Sequence, residues 1–180
     1  MKTLIMIVLL VTLLAATPAF AYDWVTNRTN GHRYTIVDGF PWEEAETNAV
    51  ALGGHLVTIN DYEENQWVLT NVVQPATSLP VWIGLHQLPG SPEPAGGWVW
   101  SSGEIVTYTN WQQGEPNQYQ GLQEDWAEMF SMDTPRGCWN DVNLTMTRTR
   151  SGVVEVVPEP SSILVLFGGV AGLFAFRRRR

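Results

Sequence analysis

Polar and apolar side chains alternate through HRYTIVD, residues 32–38, the two-residue period of a half-buried strand. The period then changes. Pro41 stands where a first helical turn tolerates it, and Trp42, Ala45, Ala49 and Leu52 follow at spacings of three and four, so PWEEAETNAVAL carries one apolar face. Gly53 and Gly54 stop that helix. HLVTI returns to a short strand, and Asn60 with Glu63 forms a capping-box start for DYEENQWVLTNVV, a second helix that Pro75 closes. From Val81 the helical period disappears. VWIGL, GGWVW, EIVTYTNW, DWAEMF, GCWNDV and GVVEV are short strand-like runs separated by Gly, Pro, Asn and Ser, and QLPGSPEPAGG between them is an irregular loop. Helices first and sheet afterwards describe an α+β domain rather than a doubly wound one.

Both ends depart from this pattern. MKTLIMIVLLVTLLAATPAFA, residues 1–21, combines a lysine, an apolar stretch and a small-x-small ending, the features of a secretory signal peptide, so the mature chain is expected to start at Tyr22. Residues 158–180 join Pro158, Glu159 and Pro160 to an apolar run from Ile163 to Phe176 and four arginines, which the positive-inside tendency holds on the cytoplasmic side. That run of 14 residues covers about 21 Å at ~1.5 Å per residue, against a hydrocarbon core of roughly 30 Å, so a transient anchor suits it better than a permanent span. The three-part tail resembles the PEP-CTERM sorting signal of Gram-negative bacteria. The resemblance implies recognition at Pro158, Glu159 and Pro160 and removal by an exosortase, commonly in exopolysaccharide producers. An ordinary C-terminal membrane anchor is the other reading, and either leaves the domain exported, outside the cytoplasmic membrane.

Residues 22–157 are enough for one domain with a real core. They hold five arginines and no lysine against seventeen carboxylates, a net charge near −12 that the whole-chain value of −8 conceals. Such acidity excludes nucleic acid and anionic lipid as partners, which need clustered Lys and Arg, and it suits cations. Cys138 is the one cysteine, so no intrachain disulfide forms; it is either a buried thiol beside Trp139 or an intermolecular link.

GEPNQYQGLQEDW, Gly114 to Trp126, sharpens the question of charge. It holds Glu115, Glu124 and Asp125 with no lysine or arginine to neutralise them. With WEEAETNAVALGGHLVTI, VWIGL, NWQQGEPN, EDWAEM and WND in that order, the chain from His32 to Val156 resembles a C-type lectin-like domain. The resemblance implies two early helices packed on small antiparallel sheets, with a long calcium-binding loop region. It also implies one Ca²⁺ held by Glu115, Asn117, Glu124, Asn140 and Asp141, the last also through its backbone carbonyl, and a cis Glu115–Pro116 bond where sequence alone allows a trans turn. The chemistry agrees: Ca²⁺ takes about six to eight oxygens from carboxylates and amides, these five side chains offer oxygens, and the absence of His and Cys argues against zinc.

The same resemblance implies the ligand. Two adjacent sugar hydroxyls can complete the calcium shell while bonding to Glu115, Glu124, Asn117 and Asn140, and the Glu-Pro-Asn order resembles mannose- or glucose-type selectivity. Tyr119 either lies against the ring or points into solvent. The family's four usual half-cystine positions carry Ala49, Trp126, Leu144 and Val154, so apolar packing must compensate for two bridges typically worth ~2 to 5 kcal/mol each. Gln118 and Gln87 stand where an auxiliary calcium site would want acids, so one ion is expected. Trp82, Trp98, Trp100, Trp111 and Trp139 read as core, and His32, His55 and His86, without a nucleophile partner, as surface or satisfied core residues.

The domain is therefore expected to be an exported carbohydrate-binding protein acting at the cell surface or in an exopolysaccharide matrix. A calcium-independent protein or matrix interaction module on the same fold is the alternative. Glu115 and Glu124 also mimic a glycosidase pair, but neither has the apolar setting that would raise its pKa, so an enzyme is not expected.

Overall fold

A computed structural model describes residues 22–133 and 135–158. The segment expected to be a signal peptide, Glu159 and Pro160 of the sorting motif, and the apolar run with its arginines lie outside the described residues. In chain order the elements are β1 (Val25–Thr26), β2 (Arg33–Asp38), α1 (Trp42–Ala51), β3 (His55–Leu56), α2 (Tyr62–Val68), β4 (Val81–Gln87), β5 (Trp98–Trp100), β6 (Trp126–Met129), β7 (Trp139–Val142) and β8 (Ser151–Val156). Their pairing order is β1-β2-β8-β4-β6-β7, with β3 also on β8 and β5 on β4. All pairs are antiparallel except β4 with β8. The full-length pairing of β2 with β8 brings the two ends of the domain together.

Helix α1 buries Trp42, Ala45 and Ala49, the face its spacing describes, and the Trp42 indole donates to the Ile83 carbonyl at 2.8 Å. It ends where two glycines are required. Gly53 adopts φ +87°, and a Cβ on Gly54 would stand 2.0 Å from the Glu155 carbonyl oxygen.

The start of α2 lies one residue beyond the Asn60 and Glu63 expected from sequence. Asp61 is the cap and accepts the Glu64 N–H at 2.7 Å, while Glu64 Oε2 accepts the Asn60 N–H at 2.9 Å. The Asn60 side chain is engaged instead with Glu104. Pro75 does not end the helix either. A π-type turn, Leu69–Val73, pairs the Gln74 N–H with the Leu69 carbonyl, and a last turn, Gln74–Ala76, carries the chain past the donor-less proline.

EIVTYTNW, expected as a strand, forms no ladder and joins the sheet only by a bridge from Trp111 to Trp139. Its alternation records burial rather than pairing: Val106, Tyr108 and Trp111 pack against the core. HLVTI contributes only its first two residues as β3.

Two apolar clusters form the interior. In the first, Trp139 is met edge-on by Trp100, Tyr108 and Trp111, with ring centroids 5.6, 5.7 and 5.9 Å away. Its indole N–H donates to the buried Asn65 Oδ1 at 2.9 Å. The second cluster contains Ala49 and Val154, with Trp126 and Leu144 packed against it, so all four half-cystine positions meet in one apolar group. Trp82, Trp100 and Trp139 are buried, and Trp98 and Trp111 are half-buried against them. Cys138 is half-buried, and burial pushes its thiol pKa up.

Candidate functional site

Strands β6 and β7 set Glu128 opposite Asn140 and Ala127 opposite Asp141. The loop between β5 and β6 brings Glu115, Asn117 and Glu124 to the same end. Its path depends on unusual backbone. Glu115–Pro116 is cis, as the resemblance implied, and Gln118 and Gln120 hold left-handed φ values of 55° and 58° on either side of Tyr119. Non-glycine residues in that region need outside support. Here the Asn117 N–H donates to Asp141 Oδ2 at 2.9 Å, and the Tyr119 N–H to Glu124 Oε2 at 2.6 Å.

Glu115, Asn117, Glu124 and Asn140 line a cleft of about 210 Å³, and Asp141, which is not on its wall, is joined to it through the Asn117 N–H. Glu124 and Asp141 are only 5% and 2% exposed. Asp141 Oδ1 is buried without a hydrogen-bond partner. Sequence offered neither Glu115 nor Glu124 a setting that would raise its pKa, but the fold does: burial is the main cause that lifts Glu115 to about 7, and the neighbouring carboxylates of Asp141 and Glu124 add to it. Burial likewise raises Glu124, opposed by the backbone N–H groups of Tyr119 and Asn143. Arg148, the one basic residue on the cleft wall, is paired with Asp133 at 2.6 Å. Two buried acids and a half-buried one thus share a corner in which the one basic residue is engaged elsewhere.

All five residues singled out from sequence reach this corner. Glu115, Glu124 and Asp141 do not, however, draw their oxygens as close together as His32, Glu64 and Glu155 do elsewhere, whose ligand atoms lie within 4.8 Å of one another. Backbone N–H groups of the loop hold one oxygen each of Asp141 and Glu124, and Asn117 Nδ2 donates to Glu115 Oε2. The donor set is wholly oxygen, which fits a hard cation, and the orphaned Asp141 Oδ1 is the atom that such an ion would satisfy.

Sequence reasoning missed Glu128. Buried on β6, it accepts the Asn140 amide at 3.4 Å through Oε1 and the Thr147 and Thr149 hydroxyls through Oε2. It therefore orients Asn140 from behind. The available signal was a carboxylate inside the apolar run DWAEMF, which a strand core does not carry without partners.

Residues 39–148 match the Lectin C-type domain family, and residues 156–180 match the PEP-CTERM protein-sorting motif. A perlucin-like protein of Mytilus galloprovincialis is 31% identical over 121 residues, 66% of this chain and 72% of its own length. An alpha-N-acetylgalactosamine-specific lectin of Patiria pectinifera is 33% identical over 126 residues, 66% of this chain and 70% of its own. The C-type carbohydrate-recognition domain of cow CD23 has the same fold at a TM-score of 0.60 and 25% identity, over 76% of this chain and 95% of that domain. The pairing order, the cis-proline loop and these likenesses converge, and the chain belongs to the C-type lectin domain family and carries a PEP-CTERM sorting motif at residues 156–180.

Proposed function

We propose that residues 22–157 form an exported, calcium-dependent carbohydrate-binding domain with mannose- or glucose-type preference, acting at the cell surface or in an exopolysaccharide matrix. The observation that carries this reading is the unpartnered, buried Asp141 Oδ1 beside Glu115 and Glu124, a set of acids that needs a cation to be comfortable out of water. Glu115, Asn117, Glu124, Asn140 and Asp141 would hold the Ca²⁺. When bound, the ion supplies coordination positions that two adjacent pyranose hydroxyls can fill.

The chain's own groups do the discriminating. Glu115 and Glu124 accept the hydroxyl hydrogens, and the Asn117 and Asn140 amides donate to the hydroxyl oxygens. Glu128 keeps the Asn140 amide pointed by accepting one of its hydrogens. The preference for equatorial 3- and 4-hydroxyls is what the resemblance of Glu115, Pro116 and Asn117 to the family's mannose-type motif implies, and the names of the relatives do not supply it. One relative is named for N-acetylgalactosamine, and human C-type mannose receptor 2, 30% identical over 112 residues, is a far longer protein matched over 7% of its length. A single shallow site binds weakly, so attachment to a polymer relies on many copies acting together. Export follows from the signal segment at 1–21 and from the sorting motif, whose Pro158, Glu159 and Pro160 an exosortase would recognise. Among the described residues no helix is long and apolar enough to cross a membrane.

A glycan array run with calcium and with chelator tests the proposal. Binding to mannose- or glucose-terminated glycans in calcium alone is the expected result. Binding that persists in chelator points to the calcium-independent interaction module, and release of oligosaccharide products would point to an enzyme.

A further inference from the structure

Away from the cleft, three side chains from separate elements turn towards one point. His32 precedes β2, Glu64 lies in the first turn of α2, and Glu155 is on β8. Their ligand atoms all lie within 4.8 Å of one another. His32 Nδ1 is 2.6 Å from Glu155 Oε1, and the Tyr34 hydroxyl is 2.9 Å from both Glu64 Oε1 and Glu155 Oε1. A hydroxyl has one hydrogen, so it satisfies only one of those two acceptors at a time.

The other oxygen of each carboxylate is fixed by backbone. Glu64 Oε2 accepts the Asn60 N–H at 2.9 Å, and Glu155 Oε2 accepts the Thr58 N–H at 3.0 Å. Asn30 Nδ2 steadies Glu64 Oε1 from the side at 3.1 Å. Both Oε1 atoms are thereby held towards His32 by partners that would serve as the outer shell of an ion. The group opens on a cleft of about 380 Å³ whose wall includes Asp61 and Glu63 and no lysine or arginine. Glu155 is 7% exposed, and its carboxyl is pushed above the usual range by burial first and by the Glu64 charge as well, against hydrogen bonds from His32, Thr58 and Tyr34. His32 and Glu64 line that cleft and Glu155 is buried beside them, so two acids and an imidazole meet with no lysine or arginine among them.

We infer that His32, Glu64 and Glu155 form a second metal site, which takes a first-row transition dication of the Zn²⁺ type rather than calcium. The imidazole nitrogen makes the distinction, because N,O,O donors suit Zn²⁺ while Ca²⁺ takes oxygen alone. Tetrahedral ligands at ~2.0 to 2.1 Å from zinc sit about 3.3 Å apart, a spacing between the 2.6 Å His32 to Glu155 contact and the 4.8 Å within which all three ligand atoms lie. A water would complete the shell of the ion. The ion ties the first turn of α2 to the β2–β8 pair, where the ends of the domain meet and where the chain has no disulfide to do so. The inference shares no residue with the carbohydrate cleft and stands or falls separately from it.

The test uses the purified full-length protein, stripped of metal and returned to millimolar calcium. Calorimetry with Zn²⁺ is expected to show one equivalent per chain, accompanied by a rise in Tm. Co²⁺ is expected to give the intense visible absorption of a low-coordinate site with a nitrogen ligand. His32→Gln and Glu64→Gln should each weaken Zn²⁺ by at least about tenfold, since even loss of an outer-shell partner costs 10- to 100-fold. His55→Gln, at the separate surface pair with Glu46, should leave it unchanged. No uptake, uptake indifferent to His32→Gln, or uptake abolished by excess calcium would each overturn the inference. Should the two variants fail to fold, absence of the Co²⁺ spectrum in the unaltered protein overturns it alone.

Discussion

The buried carboxylate of Asp141 accepts the backbone N–H of Asn117 at 2.9 Å, joining two positions 24 residues apart. One oxygen fastens the cis-proline loop to β7, and the other is left without a partner. The same side chain therefore has a structural bond on one side and an unmet electrostatic demand on the other.

Asp141→Asn separates the two roles. An amide oxygen can still accept the Asn117 N–H, and an amide in place of the carboxylate removes one like charge from beside Glu115. The ion-free fold should lose nothing, so Tm in chelator is expected not to fall. Calcium affinity, which follows ligand charge, should drop about tenfold or more by calorimetry, and glycan binding should drop with it. A large fall of Tm in chelator would show that Asp141 is a structural residue and not a ligand in waiting.

The acids of the cleft give calcium stabilisation a definite pH dependence. The ordinary value for Glu115 is 4.5 and the fold raises it to about 7, so between those values the folded state binds more protons than the unfolded one. Stability of the ion-free protein therefore falls as pH rises through that window and levels above it. Glu124 is shifted in the same direction. Calcium must displace those protons, so its affinity climbs across the window. Glu155, also raised by burial, adds its slope with and without calcium and cancels in the difference. Tm in calcium minus Tm in chelator, followed from pH 4.5 to 7, should increase; a flat difference would remove the cleft carboxylates from the metal.

Asn65 is wholly buried and spans α2 and β7, accepting the Trp139 indole N–H at 2.9 Å and donating to the Gly137 carbonyl at 3.0 Å. The Gly137 oxygen keeps a second donor in Asn110 Nδ2, whereas the indole has no other bonded partner. Asn65→Ala should therefore cost about 2 to 4 kcal/mol in chemical denaturation, from the stranded indole N–H and the small cavity together. A loss below that range would mean that the indole finds water or a new acceptor.

How far the chain could be read depends on how local each cause is. Trp42, Ala45 and Ala49 announce α1 because three-and-four spacing and burial are the same fact on a helix. EIVTYTNW misleads because alternation reports which side chains go inwards and says nothing of backbone partners; Val106 and Tyr108 are packed without a ladder. The cap at Asp61 and Glu64 lies one residue from Asn60 and Glu63, since four neighbouring polar residues offer two equivalent frames and the tertiary bonds of Glu64 decide between them. The five cleft residues were legible through their order along the chain. His32 was not: its partner Glu155 stands 123 residues away, and nothing around either residue hints that β2 and β8 are neighbours. Glu128 was hidden by the same lack, because its reason for being buried is Asn140, Thr147 and Thr149 across the sheet.

The proposed sugar preference can be tested without changing the charge of the site. Asn117 Nδ2 donates to Glu115 Oε2, so the pair presents an acceptor first and a donor second along the loop. Glu115→Gln with Asn117→Asp keeps one amide, one carboxylate and both metal-facing oxygens but reverses that order. Hydroxyls held at the cleft would then meet a donor where they met an acceptor, and a pyranose with the opposite arrangement of 3- and 4-hydroxyls would fit instead. Each mismatched hydrogen bond is worth about 1 kcal/mol, so two of them should shift the mannose-to-galactose affinity ratio by about tenfold or more. Competition by free monosaccharides reads that ratio directly, and calorimetry checks that calcium uptake survives. An unchanged ratio in a double variant that still binds calcium would locate selectivity outside Glu115 and Asn117, with the apolar wall of Phe130 and Met146 next in line.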